Sequence, residues 1–244
     1  MSTPLITLIT VVYNGERHLE KTITSVLNQK YEPLEYIVID GGSRDGTLDI
    51  IRKYESRISY WISEPDKGIF DAFNKGLKQA KGELIGFINS DDWLENNALE
   101  AINNSYKKGT IVYGNVCFWK NGKQLNTSKS DHTRLRKGMT MAHPAVFVPK
   151  EIYDRYGNFK TNLKIASDYE LLVRFFVNRV EFVKINDVIV NMNLGGISHS
   201  RWVLAIVEDL KVKNTYFSNT LLNYYYFFKQ FFYLFFERTL RKFD

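Results

Sequence analysis

The residues able to do chemistry lie in short polar segments, the most pointed being Asn89-Ser90-Asp91-Asp92-Trp93. Adjacent carboxylates repel unless a cation or hydrogen-bond donors offset them. A hard divalent ion, Mn2+ or Mg2+, takes oxygen ligands and commonly shares them with substrate phosphates. Asp91 and Asp92 are therefore candidate metal ligands. The same residues equally make a turn in which Asp92 caps a helix around Leu94 to Ile102. In Asp40-Gly41-Gly42-Ser43-Arg44-Asp45-Gly46-Thr47, glycines let a ligand approach the backbone, and Asp40 can accept the imide N–H of a uracil or thymine ring. An ordinary strand-to-helix turn capped by Asp45 or Thr47 has the same composition. The segment is neither a Walker A loop nor a dinucleotide fingerprint. Within Glu64 to Gly76, Asp71, Asn74 and Lys75 come together by i, i+3 and i+4 spacing. Lys67 stands at the helix entrance, where a cation suits phosphate. A solvated, capped helix accounts for these residues too. Finally, Asp168 in Ala166-Ser167-Asp168-Tyr169-Glu170 is either a helix cap favoured by the dipole or a general base for an attacking hydroxyl.

The elements that must position these residues follow from hydrophobic spacing. Strands are expected at Leu5 to Tyr13, Leu34 to Ile39, Ile58 to Ile62 and Leu84 to Ile88, with helices at 18–27, 47–54 and 69–80. Apolar strands alternating with helices indicate an α/β fold with an open, mostly parallel sheet, which binds ligands at the carboxyl ends of its strands. Asn14, Asp40 and Asn89 to Asp92 fall at those ends. Beyond residue 111 the pattern predicts a hairpin turning at Lys120-Asn121-Gly122, a strand at 145–148, an amphipathic helix at 167–176 and a strand at 180–190. A helical tail follows from about Arg201.

Net charge is +6 with pI near 9.1, which allows attraction to phosphates, nucleic acid or an anionic membrane. No basic stripe with interleaved aromatics supports nucleic acid. The single cysteine, Cys117, excludes an internal disulfide or a multi-cysteine zinc site and reads as a buried thiol. With no signal-peptide pattern and no charge-free run of spanning length, a cytoplasmic chain is expected.

Taken in order, Thr10-Val11-Val12-Tyr13-Asn14, the Asp40–Thr47 and Asp66–Gly76 segments, Asn89-Ser90-Asp91-Asp92 and Ser167-Asp168-Tyr169-Glu170 resemble family 2 glycosyltransferases, an inverting group with the GT-A fold. The resemblance runs from about residue 5 to 200. It implies a catalytic domain at 1–200, with a nucleotide-sugar-binding half at 1–110 and an acceptor-binding half at 111–200, then a tail at 201–244. By the resemblance, Val12, Tyr13, Asn14, Glu16, Asp40, Gly42, Lys67, Asp71, Asn74, Lys75, Ser90 and Asp91 bind the nucleotide. Tyr13 and Glu16 flank base and ribose. Asp91 and Asp92 hold Mn2+ or Mg2+ against the diphosphate, and Asp168 is the catalytic base. Trp93, His143, Ser167 and His199 are further candidates for the acceptor side. Two positions depart from the pattern: Asn89 where many members have Asp, and Phe73 where many place Arg. His143-Pro144 and Gly195 to His199 resemble a bacterial subgroup that builds surface polysaccharides.

The last thirty residues crowd aromatics beside basic side chains, with Tyr224 to Phe236 at the centre. This suits a membrane interface at the inner face of the plasma membrane and hence a lipid-linked saccharide acceptor. Packing on the catalytic domain or on a second copy of the chain explains the same composition. Two other functions compete, a sugar nucleotidyltransferase and an inactive scaffold. The first calls for a glycine- and Arg/Lys-rich loop after the first strand, where this chain has Tyr13-Asn14-Gly15-Glu16-Arg17.

Overall fold

The computed structural model describes residues 3–195 and 200–240. His199 lies outside the described residues. Strand β1 (Ile6–Val12) is β-branched and apolar, with all seven residues buried, as a strand covered on both faces requires. Strands β2 (Leu34–Asp40) and β4 (Leu84–Phe87) flank it in parallel, and β3 (Tyr60–Ser63) adds outside β2, also parallel. Helices α1 (Leu19–Leu27), α2 (Thr47–Tyr54) and α3 (Ile69–Gln79) make the crossovers. A Cβ on Gly76 of α3 would come within 2.5 Å of Ile9 Cγ2, so glycine is what lets this helix lie close on the sheet.

The second half supplies β5 (Trp93–Leu94), α4 (Ala98–Ser105), β6 (Ile111–Lys120), β7 (Lys123–Ser128), β8 (Val146–Pro149), α5 (Lys150–Tyr156), α6 (Ser167–Val177), β9 (Phe182–Asn193), α7 (Trp202–Tyr216) and α8 (Thr220–Leu240). The strand order is β3-β2-β1-β4-β8-β6-β9-β5, with β7 on β6. Strand β8 runs against β4 and β6, while β6 and β9 are parallel; six of the nine strands share one direction. One core cluster gathers Ile9, Phe73, Phe87, Tyr169 and Phe175. The other, on the opposite face, gathers Leu8, Ile23, Ile51 and Leu99. The expected α/β architecture holds, and the hairpin turns where predicted, with Asn121 and Gly122 at φ 51° and 74°.

Three expectations change. Trp93 and Leu94 pair with β9, and the helix begins only at Ala98 after Asn97 at φ 60°, so Asp92 caps nothing. Helix α6 is buried nearly all round because α7 covers the side left open by the sheet. Nor is the tail one appendage. Helix α7 sinks Ile206, Glu208, Asp209, Val212 and Lys213 into the domain.

Candidate active site

The carboxyl ends of β1 and β2 carry two loops sewn to each other. Asn14, at φ 51°, accepts from Arg44 N with Oδ1 at 2.9 Å and donates its own N–H to Ser43 Oγ at 2.7 Å. Gly15 N donates to Thr47 Oγ1, Glu16 N to Asp45 Oδ2, and Gly46 N to Glu16 Oε2. Val12 O accepts from Gly41 N. Above this cradle Tyr13 stands 62% exposed, offering its ring to a planar ligand. Gly42 takes φ 84°, a turn that favours glycine.

Asp40 ends β2 fully buried. Its Oδ2 accepts from Gly42 N, Ser43 N and Ser63 Oγ, and its Oδ1 from Ser43 Oγ. In this state the carboxylate shapes the loop, while Oδ1 keeps a lone pair behind one rotatable hydroxyl. Asp66 approaches the same place, where its Oδ2 would meet a Cβ on Gly41 at 2.4 Å.

At the end of β4 the two adjacent carboxylates have different surroundings. Asp92 is 1% exposed, its Oδ2 accepting from Asn89 Nδ2 at 2.9 Å and its Oδ1 from Asn193 N at 3.0 Å. Burial, then the neighbouring Asp91 charge, push it well above the usual carboxylate range. Asp91 is half-buried and also raised by burial, with His18 acting in the opposite sense. Its backbone O accepts from Asn193 Nδ2 at 2.7 Å. The sequence expectation paired both carboxylates on one ion. Here Asp92 ties the loop after β4 to the end of β9, which leaves Asp91 as the candidate to reach a cation. Among the described residues no cluster of three or more His, Cys, Asp or Glu could hold a metal. Asp91 nevertheless fits one, since Mg2+-type ions are commonly held by one or two carboxylates plus phosphate oxygens and water. Ser90 lies half-buried beside Gly15.

The α3 segment departs from expectation. Asn74 Nδ2 donates to Phe159 O at 2.9 Å, and its Oδ1 accepts from Phe159 N at 3.1 Å, so each polar end has a backbone partner. Lys75 donates to Pro65 O and pairs with Glu64 at 2.8 Å. Asp71 accepts from Lys67 N and so fixes the turn into α3. Asn74, Lys75 and Asp71 thus build the loop, and Lys67 alone of this group keeps an exposed side chain.

Phe159, held by Asn74, packs 5.3 Å from Phe87 at the end of β4 and 5.1 Å from Phe73. This carries the segment before α6 to the strand-end side of the sheet. Asp168 follows on the first turn of α6, with Oδ1 accepting from Tyr169 N at 2.7 Å. Burial pushes its carboxyl up to about 6, poised for proton transfer near neutral pH. Ser167 is buried beside it, its hydroxyl without a protein partner among the described residues. His143 is a correction. Its ring is 4% exposed among Phe73, Phe87 and Phe159, and burial lowers its pKa to about 3. It is a neutral core residue closed off from an acceptor. Trp93 is likewise occupied, with Lys21 Nζ 2.9 Å above its ring and Trp119 at 5.3 Å.

Sequence reasoning missed Ser43 and Ser63, Asp66, His18 and Asn193. Ser43 and Asp66 lie inside recognised segments and Ser63 falls between two of them, and a count of Asp40's acceptor capacity would have called for serines. Asn193 comes from about a hundred residues away and leaves no local signal.

Known proteins resemble this chain in sequence and in fold. The model for "Glycosyl transferase family 2" matches residues 7–180. An uncharacterized glycosyltransferase of Haemophilus influenzae is 31% identical over 210 residues, 79% of this chain and 84% of its own. Another, from Mycobacterium tuberculosis, is 30% identical over 226 residues, covering 86% and 83%. S. aureus TarS 1-349 with UDP superposes at TM-score 0.66 and 19% identity, over 88% of this chain and only 65% of that one. Mannosyltransferase PcManGT from Pyrobaculum calidifontis, with GDP-Man and Mn2+, gives 0.69 and 18%, over 93% and 70%. At these identities the two structures speak for the fold alone.

Proposed function

The chain belongs to glycosyl transferase family 2 with the GT-A fold, and we propose that it is a metal-dependent inverting enzyme that moves a sugar from a UDP-sugar to a hydroxyl of a lipid-linked saccharide in bacterial polysaccharide assembly. The observation that carries this reading is Asp91, half-buried with a raised pKa at the end of β4, the strand beside the sewn loops of β1 and β2. In this reading Tyr13 stacks on the base, Asp40 Oδ1 takes its imide N–H, and Glu16, with one oxygen free, faces the ribose. Lys67 approaches the diphosphate. Asp91 would hold Mn2+ or Mg2+, with Asp92 keeping its neighbour's backbone in place; the bound ion offsets charge on the departing diphosphate.

Asp168 performs the proton step. Above about pH 6 it is ionised, and it takes the proton of the acceptor hydroxyl as that oxygen attacks the anomeric carbon. The nucleoside diphosphate leaves from the opposite face, which inverts the configuration. Burial raises Asp91, Asp92 and Asp168 together, and perturbed carboxyls gathered on one side of a sheet favour an enzyme over a scaffold.

Calorimetry of UDP with and without Mn2+ tests the donor site. Asp91→Asn, preferred over the buried Asp92, should lower Mn2+-dependent affinity at least tenfold. Equal binding by both proteins would refute the assignment. PcManGT carries GDP-Man, so GDP is the second nucleotide to try.

The acceptor side rests on α8. Leu221, Tyr225, Phe228, Phe232 and Phe236 are all exposed and recur at helical spacing, forming an apolar stripe. Among the described residues no helix is long and apolar enough to cross a membrane. A stripe of this kind suits the headgroup boundary, where the net charge of +6 adds attraction to anionic lipid. Changing Phe228, Phe232 and Phe236 together to Ser should abolish co-sedimentation with phosphatidylglycerol vesicles. Unchanged co-sedimentation would remove the membrane from this reading and leave a second copy as the partner to test.

A further inference from the structure

The first N–H groups of a helix and its lead-in lack partners within the helix and need acceptors from elsewhere. For α6 the acceptor is a carboxylate from α7. Glu208, 4% exposed, accepts from Ile165 N at 2.8 Å and Ala166 N at 3.0 Å with Oε2, and from Lys164 N at 2.9 Å with Oε1 and 3.1 Å with Oε2. An anion this deep persists only with such donors, and three on one carboxylate fix the backbone they come from. Helix α7 grips α6 a second time. Tyr216 donates its hydroxyl to Glu170 Oε1, which also pairs with Lys160 at 2.6 Å, while Arg174 holds Oε2 at 2.8 Å.

Segment 164–166 ends two residues before Asp168. Helix α7 therefore sets where the first turn of α6 begins, and with it the place of the Asp168 carboxylate. Asp209, next to Glu208 and 6% exposed, comes close enough to Asp168 for their charges to oppose each other. Gln230 of α8 bonds the Asp209 side chain in turn.

We propose that Glu208 is a positioning residue for sugar transfer, holding the backbone of 164–166 so that Asp168 meets the acceptor hydroxyl. The proposal rests on Asp168 being the base. A reacting group misplaced by about 1 Å can lose about 100-fold in rate, so a hydrogen-bonded anchor beneath a base acts on turnover rather than on donor affinity.

The test uses the full chain as wild type, Glu208→Gln, Glu208→Asp and Asp168→Asn. Turnover is followed as hydrolysis of whichever of UDP-glucose, UDP-galactose and UDP-GlcNAc the wild type cleaves fastest. UDP affinity with Mn2+ and amide exchange at 164–168 are measured beside it. Gln keeps one acceptor but loses the charge; Asp keeps the charge but falls one methylene short. Both should lower kcat at least tenfold, with KM and the UDP Kd within about twofold of wild type, and both should speed exchange at 164–168. If the Glu208 variants keep wild-type kcat while Asp168→Asn abolishes it, the proposal falls and the base assignment stands. If Asp168→Asn itself turns over normally, the base assignment falls and takes the proposal with it.

Discussion

Replacing Asp168 by Asn should make the protein inactive and, at neutral pH, more stable. The carboxyl's pKa rises from 3.8 to about 6 because burial disfavours the charged form. A tenfold change in proton affinity corresponds to about 1.4 kcal/mol, which puts the burden of keeping this group ionised near 3 kcal/mol. Its remaining solvent contact reduces that to about 2 kcal/mol. The folded state holds the proton up to about pH 6 and the unfolded state releases it near 3.8. Between those values the folded form binds more protons, so this contribution is fully present below 3.8 and is lost as pH rises through 6. Asn is neutral, of the same shape, and still accepts from Tyr169 N. Differential scanning calorimetry at pH 7.5 should therefore show Asp168→Asn melting about 4–8 °C above wild type, at roughly 2–4 °C per kcal/mol for a chain of this size. At pH 4 the gap should nearly close. Wild-type kcat should fall about tenfold for each pH unit below 6, as a single base requires. A variant that melts at or below wild type at pH 7.5, or a gap that does not change with pH, would show that the carboxyl is not held charged against burial.

Two further outcomes follow from packing and charge. Gly86→Ala should lower stability by about 1–3 kcal/mol in urea denaturation, because a Cβ there would meet three ring atoms of Phe147 at 2.5 to 2.9 Å. A neutral result would mean that β8 can move aside. Lys213 is fully buried, and its ammonium has no hydrogen-bond partner among the described residues; its charge acts on Asp209, which burial pushes up to about 7. Lys213→Met alone should destabilise the protein at pH 8, and adding Asp209→Asn should restore at least the wild-type melting temperature. Strictly additive losses would argue that the two groups do not interact.

The sequence makes the first half of this molecule legible because each of its elements is specified locally. Ile6–Val12 and Leu34–Asp40 are β-branched runs ended by glycine or asparagine, and Thr47–Tyr54 appears as a helix with the bounds its spacing implies. The same locality marks Asp40, Asp91 and Asp168 as candidates for chemistry. What the sequence conceals is where the acceptors and donors of each polar group lie. Asn74 has the type and spacing of a ligand-binding residue, yet Phe159, 85 positions away, takes both its ends. Asp92 is one residue from Asp91, yet it is buried and accepts from a backbone N–H of Asn193, about a hundred residues away. His143 is polar in sequence and apolar in surroundings, because three phenylalanines from distant segments close over it. Helix α7 reads as tail because its apolar residues follow no clear stripe, while three of the groups it buries, Glu208, Asp209 and Lys213, are charged, and Glu208 is bonded to the lead-in of α6.

The sewn loops of β1 and β2 bear on how such a site can diversify. In five of the cross-ties a side-chain oxygen meets a main-chain N–H: Asn14 with Arg44, Glu16 with Gly46, Thr47 with Gly15, Asp45 with Glu16, Ser43 with Asn14. Arg44 gives only its amide to the framework, and its exposed side chain can be exchanged without unpicking a stitch. Tyr13 is as free on the other rim. Positions 13 and 44 are therefore where the rim of these loops can change while the framework beneath is inherited unchanged.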